Sequence, residues 1–426
     1  MNVTPEMEVP TIETATTGQG DFLSPVKNAR LLSVPLCPIF SESVDKDIQK
    51  IAIFEIDRYC AMPTLEKIVV QNFRNIELQE LEFSPNVNCI WGNNGEGKTN
   101  LMDAIYYLSM TKSAFSSVDR FNFRYGTDSF SIAGIYRMPT GLQSRFSIQV
   151  TSGGEKKLRR DDKPCAKVSE HIGVLPVVMV SPSDISLVSE SGDERRKFVN
   201  SVLSQLDREY LASMQQYNRL LLLRNRLLKD GASDEGLLAA YDARLAMLAG
   251  PLHVRRAEFV RQLAPVVQDY YGKVSGGRET VTIGYKSDLA KGDLADLLAA
   301  SREKDRALRF TSVGLQRDEF PFEMNGYPIR KCGSQGQQKS FLVSLKFAQY
   351  EIMKGRYGYP PVLLLDDLFD KLDMNRVANL LKMVSGHDFG QIFLTDTDKA
   401  RIRGIMDEIT SDSAYFDTVG GTFTRQ

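Results

Sequence analysis

The feature that most constrains the fold of this chain is a glycine-rich octapeptide that matches the pattern GxxxxGK[ST]. Glycines let such a loop curl until its backbone N–H groups point at phosphate oxygens, and the positive end of a following helix adds to the attraction. An apolar stretch typical of a strand precedes it, and the apolar residues Leu101, Ile105 and Leu108 follow it with helical spacing. The sequence therefore predicts a nucleotide site on a strand–loop–helix unit. The loop consists of Gly92, Asn93, Asn94, Gly95, Glu96, Gly97, Lys98 and Thr99.

A second motif is an apolar strand, residues 362–365, that ends in the two carboxylates of Asp366 and Asp367. In nucleotide hydrolases the first such acid holds Mg²⁺, often through water, and a second acid can polarise the attacking water. We therefore predict a nucleotide and Mg²⁺ at this site. Lys98 is expected to contact the phosphates, and Thr99 and Asp366 are expected to hold the metal. Asp367, with Asp366, is the predicted catalytic pair.

A third motif is a Ser-x-Gly-Gln turn that stands before a segment with helical apolar spacing. A turn of this kind at a helix N-terminus is a second anion-binding device. The sequence alone leaves open the simpler alternative, which is an ordinary capped helix start. The candidate residues of this signature turn are Ser334, Gly336 and Gln337.

Composition excludes several classes of protein. The 426 residues are 42% hydrophobic and 25% charged, which is typical of a globular chain. No apolar run approaches the ~20 residues that a membrane-spanning helix needs, and the N-terminus lacks the pattern of a secretory signal. The five cysteines are scattered without a CxxC pair, which favours reduced thiols in the cytoplasm over a zinc site or a disulfide framework. A net charge of −1 does not by itself indicate nucleic-acid binding, so any such surface depends on local clustering.

The chain changes character near Met62. Residues 1–61 hold nine acidic and five basic residues and show no period of a helix or a strand. We predict that they form a disordered extension, either an upstream mis-start before a natural start near Met62 or a flexible leader. Short alternating stretches within 129–180 predict antiparallel strands.

Three further regions follow from the changes in periodicity. Residues 62–190 are predicted to form the N-terminal part of an ATPase lobe, and 305–426 to form its C-terminal part. Residues 191–304 have helical spacing and are predicted to be a helical lobe, in which Gly250–Pro251 separates two helices.

The three motifs, in this order, resemble the ABC-type ATPase head of the Smc-like DNA-repair proteins. Over about 62–420 the chain further resembles the RecF family of bacterial gap-repair proteins. The resemblance implies an α/β fold, an ABC-type ATPase head with an antiparallel β region and a projecting, mainly helical lobe. The segments that carry it are 68–75, 92–100, 180–184, 195–196, 217–219, 224–225, 314–318, 325–326, 334–339 and 365–367.

The resemblance also implies function. ATP would join two subunits into a homodimer, in which the signature turn of one covers the γ-phosphate bound to the other, with Asn100 and Arg74 near the nucleotide. Slow hydrolysis would reopen a dimer that binds DNA at single-strand gaps and junctions. Partners RecR and RecO, loading of RecA and a role in the SOS response are implied as well. The chain departs from the family pattern at Gln316, where a histidine is usual, and at 113–116.

Two alternatives stay open from the sequence. One is an ATP-gated nuclease or transport-coupled ATPase, and the other is a nucleotide-dependent assembly switch with negligible turnover. Basic residues of the helical region are candidates for contact with DNA phosphates, although a solvated helix face explains them equally well. These residues are Arg195, Arg196, Lys197, Arg224, Arg226, Lys229, Arg255 and Arg256.

Overall fold

The computed structural model describes residues 62–190, 192–231, 235–367, 389–400, 403 and 413–426. The predicted disordered extension at 1–61 lies outside these residues. Two six-stranded sheets and a group of helices account for most of the described chain.

The first sheet is antiparallel and has the strand order β2-β1-β4-β5-β6-β7. In β5 buried and partly exposed residues alternate, because one face packs on the core and the other faces outward. The predicted antiparallel strands of this region are therefore present. The strands are β1 (Thr64–Phe73), β2 (Ile76–Glu82), β4 (Ser129–Arg137), β5 (Gln143–Thr151), β6 (Lys156–Arg160) and β7 (Lys163–Pro164).

The second sheet has the order β15-β14-β3-β13-β12-β8, and all its strand pairs are parallel except β14–β15. The strands β3 and β12 are buried throughout, as expected for a sheet covered on both faces. Their carboxyl ends lie at the same edge, which is where open α/β sheets bind ligands. The strands are β3 (Val87–Trp91), β8 (Val177–Val180), β12 (Val362–Leu365), β13 (Ile392–Asp396), β14 (Ser413–Val419) and β15 (Thr422–Arg425).

The helices cover the second sheet. Helix α1 (Lys98–Met110) lies in the core shared by the two sheets, and α9 (Gln335–Tyr357) lies in the core on the opposite face of the second sheet. A small third sheet, β11-β10-β9, joins the helical region. The remaining elements are α2 (Ser186–Ser189), α3 (Gly192–Leu206), α4 (Arg208–Lys229), α5 (Glu235–Ser275), β9 (Val281–Ile283), α6 (Leu294–Ala300), α7 (Arg302–Leu308), β10 (Phe322–Met324), β11 (Tyr327–Pro328) and α8 (Ile329–Cys332).

The predicted break at Gly250–Pro251 is wrong, because both residues lie inside α5, a continuous helix of 41 residues. A proline inside a helix removes one backbone hydrogen bond and costs about 3 kcal/mol. Here Ala249 and Leu252, on either side of it, are fully buried in the core that α5 shares with α4 and α9. Tertiary packing thus outweighs the local penalty.

The prediction that the basic residues of the helical region line a DNA surface is wrong for Arg224 and Arg256, which are fully buried. The guanidinium of Arg224 contacts Asp242 at 2.6 Å and Asp305 at 2.7 Å. Arg256 contacts Asp318 at 2.5 Å. A charge without a partner in the interior is very costly, so these ion pairs hold α4 and α5 to the segments that follow them.

Others of these basic side chains also serve the fold. Arg195 donates to the carbonyls of Leu187, Val188 and Phe320, and Arg196 donates to the Asp318 carbonyl at 2.6 Å. The side chain of Arg226 is 77% exposed and that of Lys197 is 72% exposed. These two cations therefore stay accessible to DNA phosphates, whereas Arg195 and Arg196 are engaged by backbone carbonyls.

His171 gives the fold a sensitivity to acid. Its ring is buried and its Nε2 lies 2.7 Å from the Leu108 carbonyl, and burial lowers the pKa of the imidazole below its usual 6.5. The folded protein keeps this ring neutral, whereas the unfolded chain takes up a proton below pH 6.5. The free energy of unfolding should therefore fall as the pH drops through 6.5, by no more than about 1.4 kcal/mol per pH unit from this group.

Urea midpoints at pH 7.5 and 5.5 test this expectation. His171→Gln should lose part of the acid sensitivity, and His253→Gln is the matched control. An equal pH dependence in the wild type and His171→Gln would contradict the prediction.

Candidate nucleotide-binding site

The glycine-rich loop joins the end of β3 to the start of α1, as the sequence predicted. Gly97 has φ 111°, in the left-handed region that side chains avoid, and it forms the N-cap of α1. A Cβ at Gly92 would lie 2.6 Å from the carbonyl oxygen of Thr418. The glycines therefore meet two separate steric demands, a tight turn and the close approach of β14.

Lys98 is 3% exposed and is held inside the loop. Its Nζ donates to the carbonyls of Gly92 at 2.8 Å and Asn93 at 3.2 Å. The same ammonium lies 3.9 Å from Oδ1 of Asp367. A buried cation surrounded by loop backbone is suited to an anionic ligand that enters the loop.

Asp366 and Thr99 form the second part of the site. The Thr99 hydroxyl lies 2.9 and 3.1 Å from the two carboxylate oxygens of Asp366, and the Thr395 hydroxyl donates to one of them at 2.8 Å. The pKa of Asp366 is raised to about 6, above all by burial; the hydrogen bonds from Thr395 and Thr99 lower it, and the negative charge of Asp367 adds to the rise. A cation beside this carboxylate would favour its ionised form.

These groups fit magnesium. Mg²⁺ is usually bound through one or two protein oxygens together with waters and substrate phosphates, rather than in an all-protein cage. A hydroxyl and one carboxylate at Thr99 and Asp366 match that donor set. Within the described part of the chain there is no group of three or more acidic, His or Cys side chains that could hold a metal without a further ligand.

Asp367 has a distinct environment although it adjoins Asp366. Its side chain is 26% exposed, whereas Asp366 is buried. Its backbone N–H donates to the Thr395 hydroxyl at 2.9 Å, and its φ of 41° lies in the left-handed region that Asp and Asn tolerate best. The β13 residue Thr395 thus fixes both acids, a role that the sequence patterns did not assign to it.

Arg74 lies beside the loop, at the turn between β1 and β2. It donates to Oδ1 of Asn100 at 3.2 Å and forms an ion pair with the buried Asp103 at 2.6 Å. Asn100 in turn donates to Asn75 at 2.7 Å. The amide of Asn75 packs against Gly97 so closely that a Cβ there would lie 2.8 Å from its oxygen. Asp103 and Asn75 were not among the predicted site residues, because neither belongs to a short motif and a fold is needed to bring them together.

Glu96 joins the loop to the end of the second sheet. Its carbonyl accepts from the N–H of Gly421 at 2.8 Å, and its carboxylate accepts from the N–H of Gly420. Of the other loop residues, Asn93, Asn94 and Gly95 are exposed. This exposed part of the loop is open to a ligand.

The signature turn is a helix cap in the isolated chain. Ser334 is the N-cap of α9, and its side chain and that of Gln337 each accept from the other's backbone N–H, at 3.3 and 2.8 Å. Gln337 also donates to Glu279 at 2.8 Å. Among the described residues the hydrogen bonds of Ser334 and Gln337 do not reach the glycine-rich loop. Ser334 is exposed, and Gly336 and Gln337 are partly exposed.

The fold and the site resemble those of known proteins. The family described as RecF/RecN/SMC N terminal domain matches residues 64–411. A Smc head domain from Pyrococcus furiosus, 14% identical, has the same fold with a TM-score of 0.52, over 86% of this chain and 96% of that one. A structure described as the recombination mediator protein RecF-ATP in the RecFOR pathway has a TM-score of 0.78 and 30% identity, over 86% of this chain and 98% of that one.

Two curated relatives carry the name DNA replication and repair protein RecF. The protein from Parabacteroides distasonis is 42% identical and the match covers 83% of this chain and 96% of that relative. The protein from Phocaeicola vulgatus is 38% identical over 85% and 98%. Fold and site together define a Smc-like ABC-type ATPase head, and the expected fold class is confirmed. The chain belongs to the RecF family of DNA replication and repair proteins.

Proposed function

We propose that this chain is an ATP-controlled DNA clamp of gap repair. The observation that carries the proposal is the pairing of a buried Lys98 inside the glycine-rich loop with the contact between Thr99, in the first turn of α1, and Asp366, directly after β12. A triphosphate and Mg²⁺ require this combination of donors. The relative whose structure is described as RecF-ATP supports ATP as the nucleotide.

Each group has a proposed task. Lys98 exchanges its loop carbonyls for phosphate oxygens, and Arg74 and Asn100 border the nucleotide. Thr99 and Asp366 hold Mg²⁺, which when bound neutralises charge that develops on the transferred phosphoryl group. Asp367 accepts a proton from the attacking water.

The signature turn completes the site in a second subunit. Ser334, Gly336 and Gln337 stand at the positive end of the 23-residue helix α9, and this end is open to solvent. A γ-phosphate presented by another subunit therefore meets backbone N–H groups and a hydroxyl. ATP joins the two subunits by this contact, and its hydrolysis releases them.

The dimer is proposed to act on DNA at single-strand gaps and junctions, with RecR and RecO as partners and RecA as the protein that is loaded. The RecFOR pathway in the description of the similar structures supports this role. A cytoplasmic location is expected from the DNA-repair role in the names of the relatives. No described helix is both long and apolar enough to cross a membrane.

Molar mass by light scattering, with and without ATP–Mg²⁺, tests the clamp. A monomer should double its mass when ATP and Mg²⁺ are both present, and the dimer should bind gapped DNA more tightly than the monomer does. If the molar mass does not change with ATP, the signature turn acts only as a helix cap and the proposal is wrong.

A further inference from the structure

Residues 118–125, here called the aromatic segment, carry large apolar side chains in solvent. The segment lies between α1 and β4 and includes a short 3₁₀ turn at Asp119–Asn122. The side chain of Phe121 is 71% exposed, that of Tyr125 is fully exposed and that of Val118 is half exposed. Soluble proteins seldom expose several such groups together unless the surface binds something.

The segment is held firmly, so these rings are not merely displaced from a core. Asn122 is fully buried and Phe123 packs edge-on against Phe130 at 5.4 Å. The backbone on both sides is bonded to the β1–β2 turn, since Arg74 N–H donates to the Asn122 carbonyl and Arg124 N–H to the Asn72 carbonyl, each at 2.9 Å. Anchoring the middle of the segment in this way holds Phe121 and Tyr125 outward.

Positive charge is interleaved with the two rings. Arg120 is exposed next to Phe121, and Arg124 lies next to Tyr125, where it is 38% exposed and contacts Glu77 at 2.7 Å. The carboxylate of Asp119 is neutralised by Lys156, whose Nζ lies 2.8 Å away. Asp119 therefore does not offset the charge of Arg120, whereas Glu77 offsets that of Arg124.

Lys156 also connects the segment to a basic hairpin. It is the first residue of β6, and residues 156–163, which form β6, the turn and the start of β7, contain five basic and two acidic residues. Lys157 and Arg159 are exposed on the side of β6 opposite the buried Leu158. The contact between Lys156 and Asp119 thus brings the start of this basic hairpin against the segment.

We propose that the aromatic segment and this hairpin bind single-stranded DNA, with unpaired bases stacked on Phe121 and Tyr125 and the phosphate backbone along Arg120 and β6. Stacking platforms combined with a positive track are the recurring design of single-strand binding, because every base has an aromatic face. Duplex DNA keeps its bases stacked internally, and an uncharged protein partner would have no use for the cations. The inference rests on the proposed function and assigns the single-stranded part of a gap to this surface.

The location also links the DNA to the nucleotide. Arg74 donates to the Asn122 side chain at 3.3 Å and to Asn100 at 3.2 Å. One side chain thus contacts both the aromatic segment and the residue that follows the glycine-rich loop. Occupation of either surface is therefore expected to change the affinity of the other, with the reciprocity that linkage requires.

The double variant Phe121→Ala/Tyr125→Ala tests the proposal in the full-length chain. Its affinity for single-stranded and gapped DNA should fall at least about tenfold, because stacking is lost at two bases. Binding of blunt duplex DNA, ATP-dependent dimer formation and the thermal midpoint should be unchanged. Fluorescent aminopurine in a single-stranded oligonucleotide should be quenched by the wild type and not by the variant. Leu142→Ala, which removes another exposed apolar side chain, from the turn between β4 and β5, is the matched control.

Three results would overturn the inference. They are unchanged single-strand affinity in the double variant, an equal loss of duplex binding, and loss of the dimer with DNA binding intact. The last would assign the rings to a second copy of the chain. If the wild type binds duplex or gapped DNA and the double variant keeps the wild-type affinity for single strands, the inference fails and the proposed function stands. A wild type that binds no form of DNA overturns the proposed function as well.

Discussion

Lys98→Met should weaken nucleotide binding strongly and so suppress the ATP-dependent doubling of molar mass. The ammonium is the buried positive charge of the loop, and it is held by two loop carbonyls until phosphate replaces them. Truncation of one partner in a desolvated charge pair costs about 2–5 kcal/mol, or roughly 30- to 5,000-fold in the dissociation constant. Isothermal titration with ATP–Mg²⁺ gives the affinity, and light scattering gives the mass.

Lys291→Met is the control, because it removes an ammonium that is 74% exposed and far along the chain from the loop. The thermal midpoint of Lys98→Met without nucleotide should stay near that of the wild type, since methionine is apolar and fills similar volume. Retained ATP affinity in Lys98→Met would mean that the loop binds no phosphate.

Asp367→Asn should leave ATP binding and dimer formation intact and lower the rate of hydrolysis by about 10²–10⁴, the usual contribution of a general base. Asparagine preserves the shape and tolerates the left-handed backbone at this position. It removes the ability to accept a proton, together with the negative charge that lies 3.9 Å from Lys98. The dimer should persist longer on ATP, because the step that releases it is blocked. Single-turnover hydrolysis and the decay of the dimer after dilution measure the two effects.

Asp366→Asn is the informative comparison, since the two acids are adjacent. It should weaken the Mg²⁺-dependent part of ATP binding, because Asp366 rather than Asp367 contacts the Thr99 hydroxyl. Equal dimer lifetimes for the wild type and Asp367→Asn would favour an assembly switch without turnover and would contradict the proposed timer.

The fold class and the centre of the site could be predicted because both depend on local pattern. A glycine loop between an apolar strand and a helix can adopt few structures. In a parallel sheet the carboxyl ends of the strands lie at one edge, so acids that follow a strand lie at the same edge as the loop. The predicted residues Lys98, Thr99, Asp366 and Asp367 do lie together. The sequence also predicts that Leu372 and Asp373, just beyond the paired acids, lie close to the same site, and these two residues are outside the described part of the chain.

Other features could not be predicted because they depend on packing between distant segments. Nothing in the sequence separates Arg224, which is buried between two aspartates, from Arg226, which is solvated two residues later. The continuation of α5 through Pro251 likewise depends on neighbours that only the fold supplies. Thr395 reaches Asp366 from another strand, so no spacing rule finds it.

The buried ion pairs of the helical region have a mechanical consequence. Helix α5 is about 60 Å long at 1.5 Å per residue, and it packs along α9, which begins at the signature turn. Glu279, four residues beyond the end of α5, contacts Gln337 in that turn. Because Arg224 and Arg256 fasten α4, α5 and the following segments together, we expect this region to move as one rigid unit. A small rotation imposed at the signature turn by a second subunit would therefore be amplified with distance, as by a lever, toward the far end of α5.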